Sequence, residues 1–197
     1  MFDVYKIRED FPILGKKVNN TDLIYFDNAA TSQTPNQVID VISSYYKENN
    51  SNIHRGLHSL SADATNKYEN SRSIIKNHFG AAHEHEIIFT SGTTHGINIV
   101  SSGLEKFISS KDELIVSEME HHSNIVPWQM LCEKTGSKLK VIPINDDGTL
   151  DMDEYKSLLT NQVKFVFINH VSNTLGIVNP IKEIVDLAHK NLSLIHI

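Results

Sequence analysis

Short apolar runs and longer amphipathic stretches alternate along this chain. Runs of a few residues that are rich in Val, Ile, Leu and Phe, bounded by turn residues, are typical of strands. Such runs are LIYFD (23–27), EIIFT (86–90), ELIVS (113–117), KLKVIPI (138–144) and VKFVFIN (163–169). The pattern predicts a strand at each of them.

Helical patterns fill the intervals between these runs. They extend from Pro35 to about Lys47, over 61–80, after Ser91-Gly92, over 123–136, over 150–159 and over 180–190. Ser61 is the predicted N-cap of the second helix, and Gly80 lies just past its end. Pro180 suits the first turn of the last helix. Strands that alternate with helices of this length favour βαβ units and a largely parallel sheet.

Polar clusters follow four of the predicted strands. They are Asp27-Asn28-Ala29-Ala30, Ser91-Gly92-Thr93-Thr94, Glu120-His121-His122 and His170-Val171-Ser172-Asn173. Ligands of parallel α/β sheets bind outside the carboxyl ends of the strands. We therefore expect one crevice that is shared by these clusters.

The stretch TSGTTHGIN (90–98) has the order strand, glycine turn, hydroxyls, helix. A helix N-terminus with free N–H groups binds phosphate readily, and Gly92 lets the backbone approach an anion closely. Thr93 and Thr94 add hydroxyl donors. The alternative is an ordinary helix start with a glycine turn. The stretch is neither a P-loop nor a dinucleotide fingerprint.

Two adjacent histidines, His121 and His122, sit between a predicted strand and a helix start. A metal site is one interpretation, with Glu120, His95 and His170 as further ligands, although no zinc motif is present. A surface pair beside Ser123 is another. Stacking of a flat imidazole on a planar cofactor ring fits better with a phosphate-binding helix start nearby.

Two loops add further candidate groups. NIHRGLHSLS (52–61) contains His54 and Arg55 and is either a solvated loop or one that reaches a pocket or a neighbouring subunit. HVSNTLG (170–176) contains Asn173, whose amide can hydrogen-bond a ring substituent or a carboxylate. Its alternative is a plain turn.

Charge and cysteine content restrict the expected partners and the expected cellular compartment. The formal net charge of -6 gives no basic footprint, so we expect no nucleic-acid partner. The opening residues lack a secretory signal pattern, and no apolar run is long enough to span a bilayer. The single cysteine, Cys132, excludes an internal disulfide and fits the cytoplasm. It shares an apolar stripe with Ile125 and Leu131, so we predict a core position.

The motifs YFDNAATSQTP, NIHRGLHSLS, TSGTTHGIN, MEHHSNIVPWQML and HVSNTLG, in this order, resemble the Suf-type cysteine desulfurases of the class V aminotransferase family. The resemblance runs from about Phe11 to Lys190. It implies the three-layer α/β large domain of a fold-type I pyridoxal phosphate enzyme, with a largely parallel sheet and in truncated form. It also implies conversion of L-cysteine to L-alanine and an enzyme-bound persulfide, which a Suf sulfur-acceptor protein unloads for iron–sulfur cluster assembly. The parent enzyme is then a homodimer.

The resemblance assigns roles to individual residues. Gly92, Thr93, Thr94, His121 and Asn173 correspond to cofactor contacts, with Thr94 at the phosphate, His121 stacked on the pyridine ring and Asn173 near O3′ and the substrate carboxylate. Ala29, Ala30, His54, Arg55 and Asn173 correspond to substrate contacts. No metal site is implied.

The chain also departs from the family pattern. The Asp-Gly-Ala-Gln and Ser-Gly-His-Lys segments, the persulfide cysteine and the carboxylate-binding arginine do not occur, so the chain contains no catalytic residue of the family. We therefore expect an inactive N-terminal half. A selenocysteine lyase or another class V enzyme is the nearest rival, and a non-catalytic binding fragment or a histidine metal site is a more distant one.

The expected organisation has three parts. Residues 1–20 form an N-terminal segment that packs with the small domain in the parent enzyme, and residues 21–191 form an incomplete pyridoxal phosphate-binding domain. The tail LSLIHI (192–197) matches a translated transposase adapter end used in sequencing libraries, so we interpret it as artefactual. The alternative is a genuine apolar strand. In either case we expect the tail to lie along the sheet.

Overall fold

A computed structural model describes residues 2–191 and 193–196. The chain divides into two compact units, Met1–Phe89 and Thr90–Ile197.

The first unit is mainly helical. It contains α1 (Val4–Glu9), the short antiparallel strands β1 (Lys17–Val18) and β2 (Thr21–Asp22), α2 (Asn36–Ser44) and α3 (Ser59–Phe79). The predicted helices after Pro35 and up to Gly80 are confirmed. Gly80 ends α3 in the left-handed conformation, with φ of 68°, which glycine adopts without strain.

The predicted N-cap of α3 is wrong by three residues. His58 occupies that position, and its Nδ1 accepts a hydrogen bond from the Ser61 backbone N–H at 3.3 Å. Ser61 is buried instead, and its hydroxyl donates to the Asn52 carbonyl at 2.8 Å. An imidazole nitrogen therefore replaces the hydroxyl that the sequence pattern suggested.

The strands predicted at 23–27 and 86–90 do not form. Among the described residues neither segment belongs to a strand: 23–27 and 87–90 have no regular secondary structure, and Glu86 ends a short 3-10 helix. Phe26 is 93% exposed and Ile88 is 69% exposed. A strand needs a neighbouring backbone to complete its hydrogen-bond ladder, and apolar composition alone does not supply one.

The second unit is an α/β sandwich. In chain order it contains α4 (Thr93–Leu104), β3 (Glu113–Ser117), α5 (Val126–Thr135), β4 (Lys138–Ile142), α6 (Met152–Leu158), β5 (Val163–Phe167), α7 (Ile181–Lys190) and β6 (Leu194–His196). The strands are all parallel in the order β4-β3-β5-β6. The strands predicted at 113–117, 138–144 and 163–169 and the helices between them are confirmed, with ends that differ by a few residues.

Both faces of the central strands β3 and β5 are buried. Leu114 and Val116 point to a cluster with Trp128 from α5, whereas Ile115 points to a cluster with Ile184 from α7. The period-two alternation of side chains produces these two faces. Helices α4 and α5 cover the first face, and α6 and α7 cover the second. The predicted three-layer, largely parallel α/β fold is confirmed.

The end of the chain lies along the sheet, as expected. Leu194–His196 form β6, parallel to β5, with Phe165 opposite Leu194. Ser193 is buried, and its hydroxyl donates to the Val163 carbonyl at 2.7 Å, which satisfies a polar group in an apolar setting. Leu192 and Ile197 lie outside the described residues. The origin of the tail stays a prediction.

Cys132 is a core residue, as predicted. It is 7% exposed and shares a cluster with Leu131 and Trp128. Burial raises the pKa of its thiol, against a smaller opposing effect of a hydrogen bond with Ser137. The thiol is therefore held in its neutral, unreactive form.

The described helices include none that has the length and apolar character to cross a membrane.

Candidate functional site

The strand order places a reversal point at the centre of the sheet. From β3 the chain crosses to β4 on one side, and it then returns to β5 on the other side of β3. The carboxyl ends of β3 and β5 therefore flank the crevice in which open α/β sheets bind their ligands. Residues 118–124 follow β3 and are called the histidine loop here. Residues 169–179 follow β5 and are called the asparagine loop.

The histidine loop fixes the ring of His121 by one edge. Its Nδ1 accepts a hydrogen bond from the Ser123 backbone N–H at 3.1 Å and lies 2.8 Å from the Ser123 hydroxyl. Because Nδ1 is an acceptor, the neutral ring carries its proton on Nε2. The His122 ring lies edge-on to it at 6.3 Å. Both histidines are exposed, so the His121 ring is oriented but uncovered.

The asparagine loop is a small hairpin. Val171 bridges to Val178, and the Ser172 hydroxyl accepts hydrogen bonds from the backbone N–H groups of Thr174 and Leu175. Asn173 is exposed at the tip of this hairpin. The turn alternative and the binding prediction are compatible here, because the turn leaves the Asn173 amide exposed.

The two loops are joined at their bases. The Asn169 backbone N–H donates to Glu120 Oε1 at 2.8 Å, and the Asn169 amide donates to the Met119 carbonyl at 3.4 Å. Asn179 then donates to the Asn169 carbonyl at 2.9 Å. The structure therefore holds the loops that carry His121 and Asn173 against each other.

Helix α4 begins with an open N-terminus. Gly92 is its N-cap, with φ of 137° and no side-chain cap, and an added Cβ would meet nothing within 4 Å. Thr93 and Thr94 are exposed in the first turn. Open space, uncapped N–H groups and two hydroxyls are what a phosphate requires at a helix start.

Helix α4 lies on the same face of the sheet as α5 and contacts the histidine loop. Ile97, one turn into α4, belongs to the buried cluster that also contains Trp128 and Phe167. Phe167 is the last residue of β5, and α4 also packs against the His122–Asn124 turn. Of the four clusters predicted at strand ends, only those after β3 and β5 follow a strand. The Ser91–Thr94 and Asp27–Ala30 clusters follow segments without regular secondary structure.

Four predicted substrate residues belong to the first unit. Ala29 and Ala30 are exposed in a turn that is closed by the bond from the Ala30 N–H to the Asp27 carbonyl at 3.2 Å. His54 is exposed and has a φ of 62°, a left-handed conformation that is uncommon outside glycine. Their place in a shared site stays a prediction.

The left-handed His54 is held by three contacts. Its N–H donates to the Thr65 hydroxyl at 3.0 Å, its Nε2 lies 2.9 Å from a Glu69 carboxylate oxygen, and its ring meets Tyr68 edge-on. Surroundings that over-determine a strained residue in this way are typical of functional loops. The adjacent Arg55 is exposed.

Sequence reasoning missed the buried polar residues beneath the site. Glu120 was considered as a member of a polar cluster at a strand end and as a possible metal ligand but not as a buried support, and Asn124, Asn169 and Asn179 were not singled out. Their signal is weak in sequence, because each is a polar residue in a loop. Among residues 2–191 and 193–196, no group of three or more His, Cys, Asp and Glu side chains is arranged to hold a metal ion.

Known proteins provide a further comparison. The family model described as "Aminotransferase class-V" matches residues 24–197. The chain belongs to this family.

Proteins of similar sequence and solved structures of similar fold are consistent with this family assignment. A cysteine desulfurase from Synechococcus elongatus is 45% identical over 190 residues, which is 96% of this chain and 30% of the relative. The apo structure of a cysteine desulfurase from Thermococcus onnurineus NA1 superposes with a TM-score of 0.89 at 36% identity, over 99% of this chain and 47% of that one. A structure named SspA in complex with cysteine superposes with a TM-score of 0.78 at 26% identity, over 88% of this chain and 50% of that one. The chain thus spans half or less of the length of these relatives, and it shares their fold.

Proposed function

We propose that the chain is the N-terminal half of a pyridoxal phosphate-dependent cysteine desulfurase of the Suf type. The reaction is L-cysteine plus an enzyme thiol to L-alanine plus an enzyme persulfide. The observation that carries the proposal is the junction at the reversal point of the sheet, where the loops of His121 and Asn173 meet. Relatives that are named cysteine desulfurases, and a similar protein in complex with cysteine, support the choice of substrate.

The residues of the second unit fit pyridoxal phosphate. The open α4 start at Gly92, with the hydroxyls of Thr93 and Thr94, suits the phosphate group. The oriented and uncovered ring of His121 suits the flat face of the pyridine, since offset aromatic stacking is favourable. The exposed Asn173 amide suits a polar substituent of the ring. When bound, the cofactor supplies an electron sink that stabilises negative charge on the substrate.

The chain's own residues position the reactants in this proposal. The histidine ring fixes the plane of the bound group, and the α4 start fixes its anionic end. Ala29, Ala30, His54 and Arg55 are substrate contacts in this proposal, in which the alanines leave room for a small substrate and the guanidinium of Arg55 attracts a carboxylate. The sulfur-acceptor protein, the homodimer and the cytoplasmic setting are parts of the same proposal.

The persulfide does not form on Cys132 in this proposal. That thiol is buried and burial raises its pKa, whereas a sulfur acceptor must be a reachable thiolate. Neither the persulfide cysteine nor the lysine of the family occurs in this chain, so we expect the 197-residue chain alone to release no sulfur from cysteine.

The test uses the full-length enzyme and a His121→Ala change. We expect the change to weaken binding of pyridoxal phosphate by roughly twofold to tenfold, because stacking contributes about 0.5–1.5 kcal/mol. The matched control is His122→Ala, the adjacent exposed histidine, which should bind as the parent does. Affinity is measured from the visible absorbance of the bound cofactor. Equal affinities for the parent and both variants would show that His121 does not contribute to cofactor binding.

A further inference from the structure

A buried carboxylate lies directly beneath the proposed cofactor site. Glu120 is 8% exposed, although it immediately precedes the exposed His121. Glutamate is seldom buried unless its charge is hydrogen-bonded, because desolvation of an unpaired carboxylate is costly. The proposed function gives this residue no role.

Every described partner of Glu120 is a hydrogen-bond donor. Its Oε1 accepts from the Ser117 hydroxyl at 2.6 Å and from the Asn169 backbone N–H at 2.8 Å. Its Oε2 accepts from the Asn124 amide at 2.7 Å. These donors come from the end of β3, from the start of the asparagine loop and from the far side of the histidine loop.

The direction of the network is fixed at both ends. The Trp128 indole N–H donates to Asn124 Oδ1 at 2.9 Å, so the amide nitrogen of Asn124 must point to Glu120. At the other end, the Asn169 backbone N–H is also only a donor. The group between them must therefore accept on both sides. A carboxylate does so, whereas an amide presents N–H to one of the two donors in either orientation.

We propose that Glu120 is a positioning residue that locks the histidine loop to the asparagine loop and so sets the spacing between His121 and Asn173. The inference rests on the proposed function. Glu120 and Asn124 flank His121 on both sides, and Asn169 continues to Asn179, whose amide donates to Asn169 Oδ1 at 2.7 Å and closes the base of the hairpin. One buried carboxylate thus ties together the loops that carry the ring-stacking group and the ring-substituent contact.

The first variant is Glu120→Gln in the full-length enzyme. The introduced amide opposes a donor on one side, which separates the two loops while keeping the size of the side chain. We expect the dissociation constant of pyridoxal phosphate to rise about tenfold. Without cofactor, we expect the Asn169 backbone amide to exchange its hydrogen roughly tenfold faster.

The second variant restores the pairing of donor and acceptor by exchanging the carboxylate and the amide between positions 120 and 124. In Glu120→Gln with Asn124→Asp, the introduced amide donates to the introduced carboxylate, whose other oxygen still accepts from Trp128. We expect cofactor affinity and the exchange rate of Asn169 to return to within about threefold of the parent. A purely structural loss of charge would not be rescued by moving the charge along the network.

The control is Glu118→Gln, a glutamate of the same loop that is exposed and accepts one hydrogen bond from the Ile144 N–H at 3.1 Å. It should bind cofactor as the parent does. Unchanged affinity in Glu120→Gln overturns the inference. If that variant does not fold, the double variant decides, because recovery supports the inference and failure to recover overturns it. A parent enzyme that binds no pyridoxal phosphate overturns the proposed function as well, and its missing absorbance distinguishes that outcome.

Discussion

The two units of the chain differ in how they are held together. Among the described residues, the second unit buries aromatic and aliphatic side chains on both faces of its sheet, such as Trp128 and Ile184 at 0% exposure. Of residues 2–89, the first unit buries only Ser61 and Ala64, and it leaves large apolar side chains such as Phe26 exposed. Burial of a large apolar side chain contributes about 1.5–3 kcal/mol. The second unit therefore has a hydrophobic core, and the first is held mainly by caps, turns and polar contacts.

The difference in buried core between the two units corresponds to the outcome of the strand predictions. The apolar runs that form β3, β4 and β5 pair with parallel neighbours, and helices pack on both faces of the sheet. Among the described residues, the runs at 23–27 and 86–90 have similar composition but pair with no strand, and side chains such as Phe26 and Ile88 remain exposed. An apolar run is thus stabilised by its neighbours rather than by its composition.

The largest effect expected from this comparison is a core deletion. Trp128→Ala removes a ring that stacks on Phe167 at 3.5 Å between ring centroids, and it should lower the free energy of unfolding by about 3–5 kcal/mol. Phe26→Ala, in the first unit, should change it by less than about 0.5 kcal/mol, because the Phe26 side chain is 93% exposed. Chemical denaturation measures both. Equal losses would contradict the contrast between the units.

A smaller effect is expected at the polar contacts of the first unit. Arg72 donates to the Ile87 carbonyl, lies 5.0 Å from the Phe89 ring centroid and 5.2 Å from that of Tyr68, and pairs with Glu69 at 3.2 Å. Arg72→Lys keeps the charge but loses the planar fork, so local stability should fall by about 2 kcal/mol.

Hydrogen exchange at residues 87–89 reports this change. The control is Arg8→Lys, at an exposed arginine of α1, which should leave those rates as they are. Exchange at 87–89 that is already at the rate of an unfolded peptide in the parent would show that Arg72 orders nothing there.

The smallest effect concerns one hydrogen bond in the second unit. Tyr155 is fully buried, burial raises its pKa, and its hydroxyl donates to the Ile184 carbonyl at 3.0 Å. Tyr155→Phe removes this hydrogen bond and should cost about 1 kcal/mol, whereas Tyr5→Phe at an exposed position should cost nothing measurable. Thermal unfolding of the two variants compares them. A loss at Tyr5 that matches the loss at Tyr155 would mean that burial does not separate the units.

Much of the second unit could be predicted from sequence because its signals are local. The run ELIVS gave β3 with correct ends, and Gly136 marked the end of α5. The predicted N-cap at Ser61 was wrong because the pattern considers hydroxyls and carboxylates, whereas the His58 ring performs the role. Cap chemistry of this kind depends on the rotamer of a side chain, which composition does not specify.

The residues of the candidate site also fall into a group that the sequence predicted and a group that it did not. His121 and the α4 start at Gly92 were singled out because their residue types and places after apolar runs carry meaning locally. Glu120 was missed as a support because its role depends on Asn169, 49 residues away along the chain. Contacts of that separation are a property of the fold, so they can be read only once the strand order is known.

The burial of Cys132 has a practical consequence for experiments on this chain. It is the only cysteine, and its thiol is shielded and neutral, so thiol-reactive probes should leave the native protein unmodified. A cysteine introduced at an exposed position such as His122 would then be a unique attachment point for a spin label or a fluorophore. Movement of the histidine loop can therefore be followed without first removing a native residue from the core.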